Sequence, residues 1–194
     1  YLIEGSKNHI KKIKSQRIYW QNNIKAINEF VTKENINNII QENIREKSIG
    51  LLSIDIDGND LWVLKELNFI SPDIVVCEYN TIFGDKYELT VPYDKNFSRI
   101  KKHHSNVYFG CSIKALISVM NKKNYFFLGT CSTGINAFFV KNDYKEIFDK
   151  IILNKVFFPS LVREARDERN NLTFNNIYDN LDKIKHMDII ELNQ

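Results

Sequence analysis

The sequence has little with which to cross-link itself. Its three cysteines, Cys77, Cys111 and Cys131, are odd in number and stand at no metal-ligand spacing. That excludes a disulfide framework and reads as reduced thiols of a cytosolic protein. It also lacks long hydrophobic runs. None reaches the roughly 20 apolar residues that span a bilayer, which excludes a transmembrane helix. Charge of one sign is missing as well: the net charge of +3 is too small to argue for nucleic acid. The basic stretches Lys7–Lys14 and Arg99–His104 read as solvated faces. There is no signal-peptide pattern, no internal repeat and no initiating Met. The chain opens on Tyr1-Leu2-Ile3-Glu4, which looks like the inside of a strand, so sequence ahead of Tyr1 is expected.

What is present is the material of one globular domain, 194 residues with 43% hydrophobic side chains. Tyr1–Ser6 reads as a strand ending in an acid, a glycine and a helix cap. Lys7–Ser15 follows as a short helix, and Ile24–Val31 as a second strand. Thr32 is a good N-cap for a helix through Gln41, with Ile36, Ile39 and Ile40 on one face. The apolar run Ile49–Ile56 then enters the acid cluster Asp55, Asp57 and Asp60. Apolar residues at helical spacing follow over Leu61–Leu67. Asp73–Asn80 is a further strand ending in a polar cluster. Alternation of strand and helix predicts an α/β fold: a Rossmann-like, mostly parallel sheet with helices on both faces. Thr81–Asn106 is a long polar connection of the kind used as a lid or binding loop. Ser112 caps a helix to Lys122. Tyr125–Thr130 and Asn136–Val140 then form a C-terminal antiparallel hairpin. Residues 1–141 make the main domain. Residues 142–194 make a helical extension packed on it, with helices over Tyr144–Ile152 and Ser160–Arg169 and a weakly patterned end.

The acids Asp55-Ile56-Asp57-Gly58 stand at a strand's carboxyl end, where open α/β sheets place ligands. Three mechanisms use such acids. A phosphatase of the haloacid-dehalogenase type takes its nucleophile from Asp-x-Asp-Gly. Asn59 departs from the Thr or Val expected next, and no later strand ends in paired acids. A glycosyltransferase holds a nucleotide sugar through Asp-x-Asp and a metal, though that motif is short. A calcium loop needs glycine sixth and glutamate twelfth. Counted from Asp55 the glycine comes fourth, which rejects the loop. Glu4 ends the first strand, where an acid of a Rossmann-like sheet accepts hydrogen bonds from ribose hydroxyls, and Asp55, Asp57, Glu78 and Asn80 end two later strands and converge on one cleft if those strands are neighbours. Such an oxygen-rich set suits magnesium or a similar hard ion.

These residues also carry a resemblance. Ile3–Ser6, Leu51–Asp60, Val75–Asn80, Tyr108–Leu116 and Gly134–Val140 resemble the FkbM-type class I S-adenosylmethionine-dependent methyltransferases of sugar and surface-polysaccharide clusters. The run Ser53–Asp60 is its specific part, and the resemblance covers roughly the first 140 residues. It implies a cytoplasmic enzyme that methylates an oxygen of a sugar or other hydroxyl-bearing small molecule, with no membrane span, no nucleic-acid partner and room for a homo-oligomer. By resemblance Glu4 binds the cofactor ribose, Asn28 and Glu29 lie beside the adenine, and Asp55 or Asp57 faces the methyl-transfer centre. Asp57, Glu78 and Asn80 would hold magnesium, and His103 or His104 would take the acceptor proton. The family's glycine-rich turn after its first strand is absent. Either sequence ahead of Tyr1 supplies it, or the chain is a binding or assembly module that kept the sheet and lost the cofactor.

Simpler structural roles compete at several positions. Glu4 can be a helix cap, and Asp60 an acid favoured by a helix N-terminus. Asp55 and Asp57 point to opposite faces if both remain in the strand. The default for His103 and His104 is solvent. Trp62 and the pairs Phe126–Phe127 and Phe138–Phe139 read as core, and Cys131–Gly134 reads as a hairpin turn.

Overall fold

A computed structural model describes residues 1–46, 48–149 and 157–192. Leu2–Ile3 (β1) leads through helices Lys7–Ser15 (α1) and Arg17–Gln21 (α2) to Ala26–Ile27 (β2), which pairs parallel with β1. Ser6 caps α1 by accepting the His9 N–H, and Ile10 is the face α1 buries. Helix Ile36–Asn43 (α3) starts later than Thr32 suggested. Asn35 is its N-cap, and the Asn35 side chain accepts the Thr32 N–H at 2.7 Å instead. Ile36, Ile39 and Ile40 are its buried stripe, as their spacing predicts.

Leu51–Ile54 (β3) runs into the acid turn and helix Asp60–Glu66 (α4). Ile74–Glu78 (β4) lies parallel to β3, with Leu51 opposite Ile74 and Ile54 opposite Cys77. The long connection holds a 3-10 turn at Thr81–Phe83, then Leu89–Thr90 (β5) and the short helix Arg99–Lys102 (α5). Ser112 caps helix Ile113–Lys122 (α6) by accepting the Ala115 N–H. Tyr125–Thr130 (β6) and Asn136–Lys141 (β7) form the expected antiparallel hairpin. Gly134 turns it at φ 71°, and a Cβ there would lie 2.7 Å from the Phe158 carbonyl oxygen. Lys145–Asp149 (α7), Ile177–Ile184 (α8) and Ile190–Glu191 (β8) complete the described elements.

The fold is mixed α/β. Strand β7 pairs antiparallel with β4, giving the order β3-β4-β7-β6, and β5 pairs antiparallel with β8. The sheet is therefore mixed, not mostly parallel, because the hairpin docks beside β4 and reverses direction there. Among the described residues β1 pairs only with β2, and β3 only with β4. The Tyr1 hydroxyl donates to Glu46, tying the start of β1 to the segment before β3.

The core collects Leu61 from α4, Leu116 and Met120 from α6, Tyr79 and Phe139, all within 1% of complete burial. Each large apolar side chain buried this way contributes about 1.5–3 kcal/mol. Phe126 is buried but Phe138 only partly.

The C-terminal segment departs most from expectation. Ser160–Arg169 is not helical: Leu161 N–H reaches the Thr133 carbonyl, Arg166 N–H the Ser105 carbonyl, and Arg166 bridges Leu172. The helix expected from Tyr144 is described over Lys145–Asp149, and its remainder falls outside the described residues. No helix among the described residues is long and apolar enough to cross a membrane.

Candidate functional site

The turn between β3 and α4 is built by a buried carboxylate. Asp60 is 1% exposed. Its two oxygens accept the backbone N–H groups of Ile56 at 2.8 Å and Gly58 at 2.9 Å. Burial pushes this carboxyl up to about 6, against the pull of those N–H donors. Asp57 sits at φ 58°, left-handed backbone that aspartate tolerates better than most residues. Gly58 lies at φ 149°, and a Cβ there would meet the Phe97 ring at 2.2 Å. Glycine lets the ring close over the turn.

This turn leaves the carboxylates of Asp55 and Asp57 outward, next to Glu78 at the end of β4. The three offer oxygens within 4.8 Å of one another. Parallel pairing of β3 with β4 brings them together, since Ile54 and Cys77 are partners, Asp55 follows β3 directly and Glu78 is the last residue of β4. Three like charges this close resist ionising together. Desolvation, then the negative charges of Asp60 and Asp55, push Glu78 up to about 8. Partial desolvation and the Asp57 charge raise Asp55 as well. One Glu78 oxygen, Oε2, is buried without a hydrogen-bond partner among the described residues. A hard cation held between the acids would give that oxygen a partner.

Arg99 closes the cluster. Its guanidinium lies 3.4 Å from Asp57 and 2.8 Å from Glu164, with its centre 3.7 Å from the middle of the Phe109 ring. The Arg99 side chain is 12% exposed. Within the basic stretch, Ile100, Lys101, Lys102 and His104 face water, while Arg99 and His103 are partly buried. Beside Glu78 and Arg99 opens a cavity of about 690 Å³. Its far wall comes from the C-terminal segment, including Glu164, Tyr178 and Asn180.

The other sequence-predicted residues lie elsewhere or are engaged. Asn80 is 2% exposed, and its amide donates to the carbonyls of Val107 and Phe109 and accepts the Ile82 N–H. That spends Asn80 on fixing the 3-10 turn, so Asp55 stands in its expected place among the ligating oxygens. His103 and His104 stack with ring centres 4.3 Å apart, and His103 lies 5.6 Å from His186. Burial, then the nearby His104, His186 and Lys183, lower His103. Neither His103 nor His104 lines the cavity. Glu4 Oε1 accepts the Ser6 N–H at 2.6 Å, while Oε2 faces His9 at 3.6 Å. Asn28 donates to the carbonyls of Glu4 and Gly5, which braces the turn after β1, and Glu29 is exposed.

Sequence reasoning missed Arg99, Glu164 and Asn180. The periodic Ile177, Leu181 and Ile184 signalled the helix carrying Asn180, but Asn and Asp between them diluted it. No family model, curated protein or solved structure matches the chain, so the chemistry of this site rests on its geometry alone.

Proposed function

We propose that the protein is an S-adenosylmethionine-dependent methyltransferase acting on an oxygen of a hydroxyl-bearing small molecule, sugars included. In this reading the β1–β2 pair and the β3-β4-β7-β6 sheet are parts of one Rossmann-like sheet closed by the antiparallel hairpin, in a cytoplasmic enzyme. The observation that carries it is the convergence of Asp55, Asp57 and Glu78 beside a cavity at the carboxyl ends of adjacent parallel strands. A strand-end acid at Glu4 supports it, since Oε2 keeps acceptor capacity for ribose hydroxyls.

Bound S-adenosylmethionine supplies the electrophilic methyl group. The chain's own residues do the rest. Glu78, pushed up to about 8, takes the proton of the acceptor hydroxyl in its carboxylate form, whose share grows as pH rises toward 8. Arg99 offsets the charge of Asp57 and holds Glu164 at the cavity wall. The donor set of Asp55, Asp57 and Glu78 fits a magnesium-like ion, which would lower the hydroxyl's pKa. The test is transfer of labelled methyl from S-adenosylmethionine to a mixture of methyl glycosides. Transfer that falls at least a hundredfold in Glu78→Gln supports the reading. Undiminished transfer in Glu78→Gln removes Glu78 as the base, and release of phosphate from an aryl phosphate points to the phosphatase chemistry instead.

A further inference from the structure

The connection over residues 99–108 fastens the C-terminal segment to the rest of the chain. Arg99 pairs with Glu164 at 2.8 Å. The Ser105 carbonyl accepts the Arg166 N–H at 3.0 Å, and the Tyr108 hydroxyl donates to the Asp188 carbonyl. Three histidines meet in the same contact. His103 stacks on His104 with ring centres 4.3 Å apart, and the ring of His186, just past α8, is 5.6 Å from His103. The segment held in this way supplies a wall of the cavity beside Glu78, through Glu164, Tyr178 and Asn180.

The surroundings of His103 call for a neutral ring. Its Nδ1 accepts the backbone N–H of Ser105 at 3.2 Å and lies 2.6 Å from the Ser105 hydroxyl. A ring nitrogen that accepts carries no proton. A proton added there can turn to the Ser105 hydroxyl only if the backbone N–H gives up its partner. Ser105 is fully buried, so that donor would be stranded away from water.

Protonation also brings a charge that nothing nearby offsets. The groups that bear on His103 are His104 from its own connection, Lys183 from α8 and His186 from the segment after α8. Each is a cation when protonated, and like charges this close repel. The neighbouring acids are engaged elsewhere. Asp94 pairs with Lys102 and Asp182 with Lys185, Asp188 bears on the Tyr108 hydroxyl, and Asp167 bears on Lys183. Burial and these three cationic neighbours hold His103 below the ordinary 6.5. The opened arrangement therefore takes up the proton more readily than the closed one. The closed arrangement has its full stability above 6.5 and loses it as pH falls below that value.

We propose that His103, His104 and His186 form a proton-operated clasp that releases the C-terminal segment from residues 99–108 as pH falls below neutrality and so opens the cavity beside Glu78. The clasp governs access to that cavity and does not rest on the reaction proposed for it.

The test is amide hydrogen exchange of the full chain at pH 7.5 and pH 5.5, corrected for intrinsic exchange, with the histidine rings followed by NMR titration. Protection of Arg166, Ile184 and Met187 is expected to fall at least threefold at the lower pH, while that of Val75 and Phe139 in the sheet does not fall. The direction separates the clasp from Glu78 and Asp60, whose raised carboxyls firm the whole fold at low pH. His103→Asn keeps an acceptor for the Ser105 N–H and is expected to abolish the fall. His186→Gln, at an exposed position that leaves the core alone, is expected to move the His103 midpoint up toward 6.5. Equal protection at the two pH values, the same fall in His103→Asn, a His103 midpoint at or above 6.5, or a midpoint unmoved by His186→Gln overturns the proposal.

Discussion

The Asp60 carboxylate holds the Gly58 backbone N–H at 2.9 Å, from a position that solvent hardly reaches. Its other oxygen holds Ile56. One buried side chain thereby fixes the turn that presents Asp55 and Asp57. Charge-assisted hydrogen bonds of this kind contribute about 1.5–3 kcal/mol each. Asp60→Ala is expected to lower stability by about 3 kcal/mol in urea denaturation, with Asp60→Asn costing less because one acceptor remains. A loss below about 0.5 kcal/mol for the alanine variant would show that the turn holds without it.

Glu78 ties stability to pH. Its carboxyl stands near 8 in the folded chain against an ordinary 4.5, so the folded state keeps a proton that the unfolded chain releases. Stability from this group is therefore full below about 4.5 and is lost as pH rises to about 8, with a slope of at most about 1.4 kcal/mol per pH unit. Asp60, raised to about 6, adds to the fall in the lower part of that window. Denaturation midpoints are expected to drop between pH 6 and pH 8, and Glu78→Gln to flatten that drop. Magnesium is expected to raise the melting temperature more at the upper pH, where the acids are charged. An identical pH profile in wild type and Glu78→Gln would contradict the assignment.

Arg99 joins the acid turn to the C-terminal segment through Asp57 and Glu164. Both acids are well exposed, so screening limits each pair. The Phe109 contact adds packing that a lysine cannot reproduce. Arg99→Lys is expected to cost about 1 kcal/mol and to speed proteolysis within residues 157–176. Unaltered cleavage there would show that Arg99 does not hold the segment.

The cysteines are expected to differ sharply in reactivity. Burial works against Cys131, but the Thr133 hydroxyl and the N–H groups of Ile135 and Asn136 outweigh it and bring the thiol down to about 7. Burial pushes Cys77 and Cys111 well up. Iodoacetamide at neutral pH is expected to label Cys131 first, with the other two reacting only on unfolding, as read by mass spectrometry. Thr133→Val should slow labelling severalfold. Equal labelling of Cys77 in the folded protein would contradict the core described above.

Local signals explain which parts of this fold were legible. Lys7–Ser15, the Ser112-capped helix and the hairpin each carry their own cap, period or turn residue, and each formed where the sequence placed it. Convergence of Asp55, Asp57 and Glu78 followed from strand order. Ser160–Arg169 has the composition of a helix, yet its backbone takes partners in Thr133 and Ser105, far away in sequence. Such pairing leaves no periodic trace. Arg99 reads like its basic neighbours, and only the ring of Phe109 and the acids of two distant segments distinguish it. The hairpin signal implies an antiparallel edge on the sheet, and β7 supplies it by pairing with β4, which leaves the sheet mixed.

The proposed methyl transfer requires that these strand ends hold S-adenosylmethionine. Calorimetric titration of the full-length protein with S-adenosylhomocysteine tests it most directly. Binding tighter than millimolar, weakened at least tenfold by Glu4→Gln, is the expected result. No binding at millimolar concentration would remove methyl transfer from this protein.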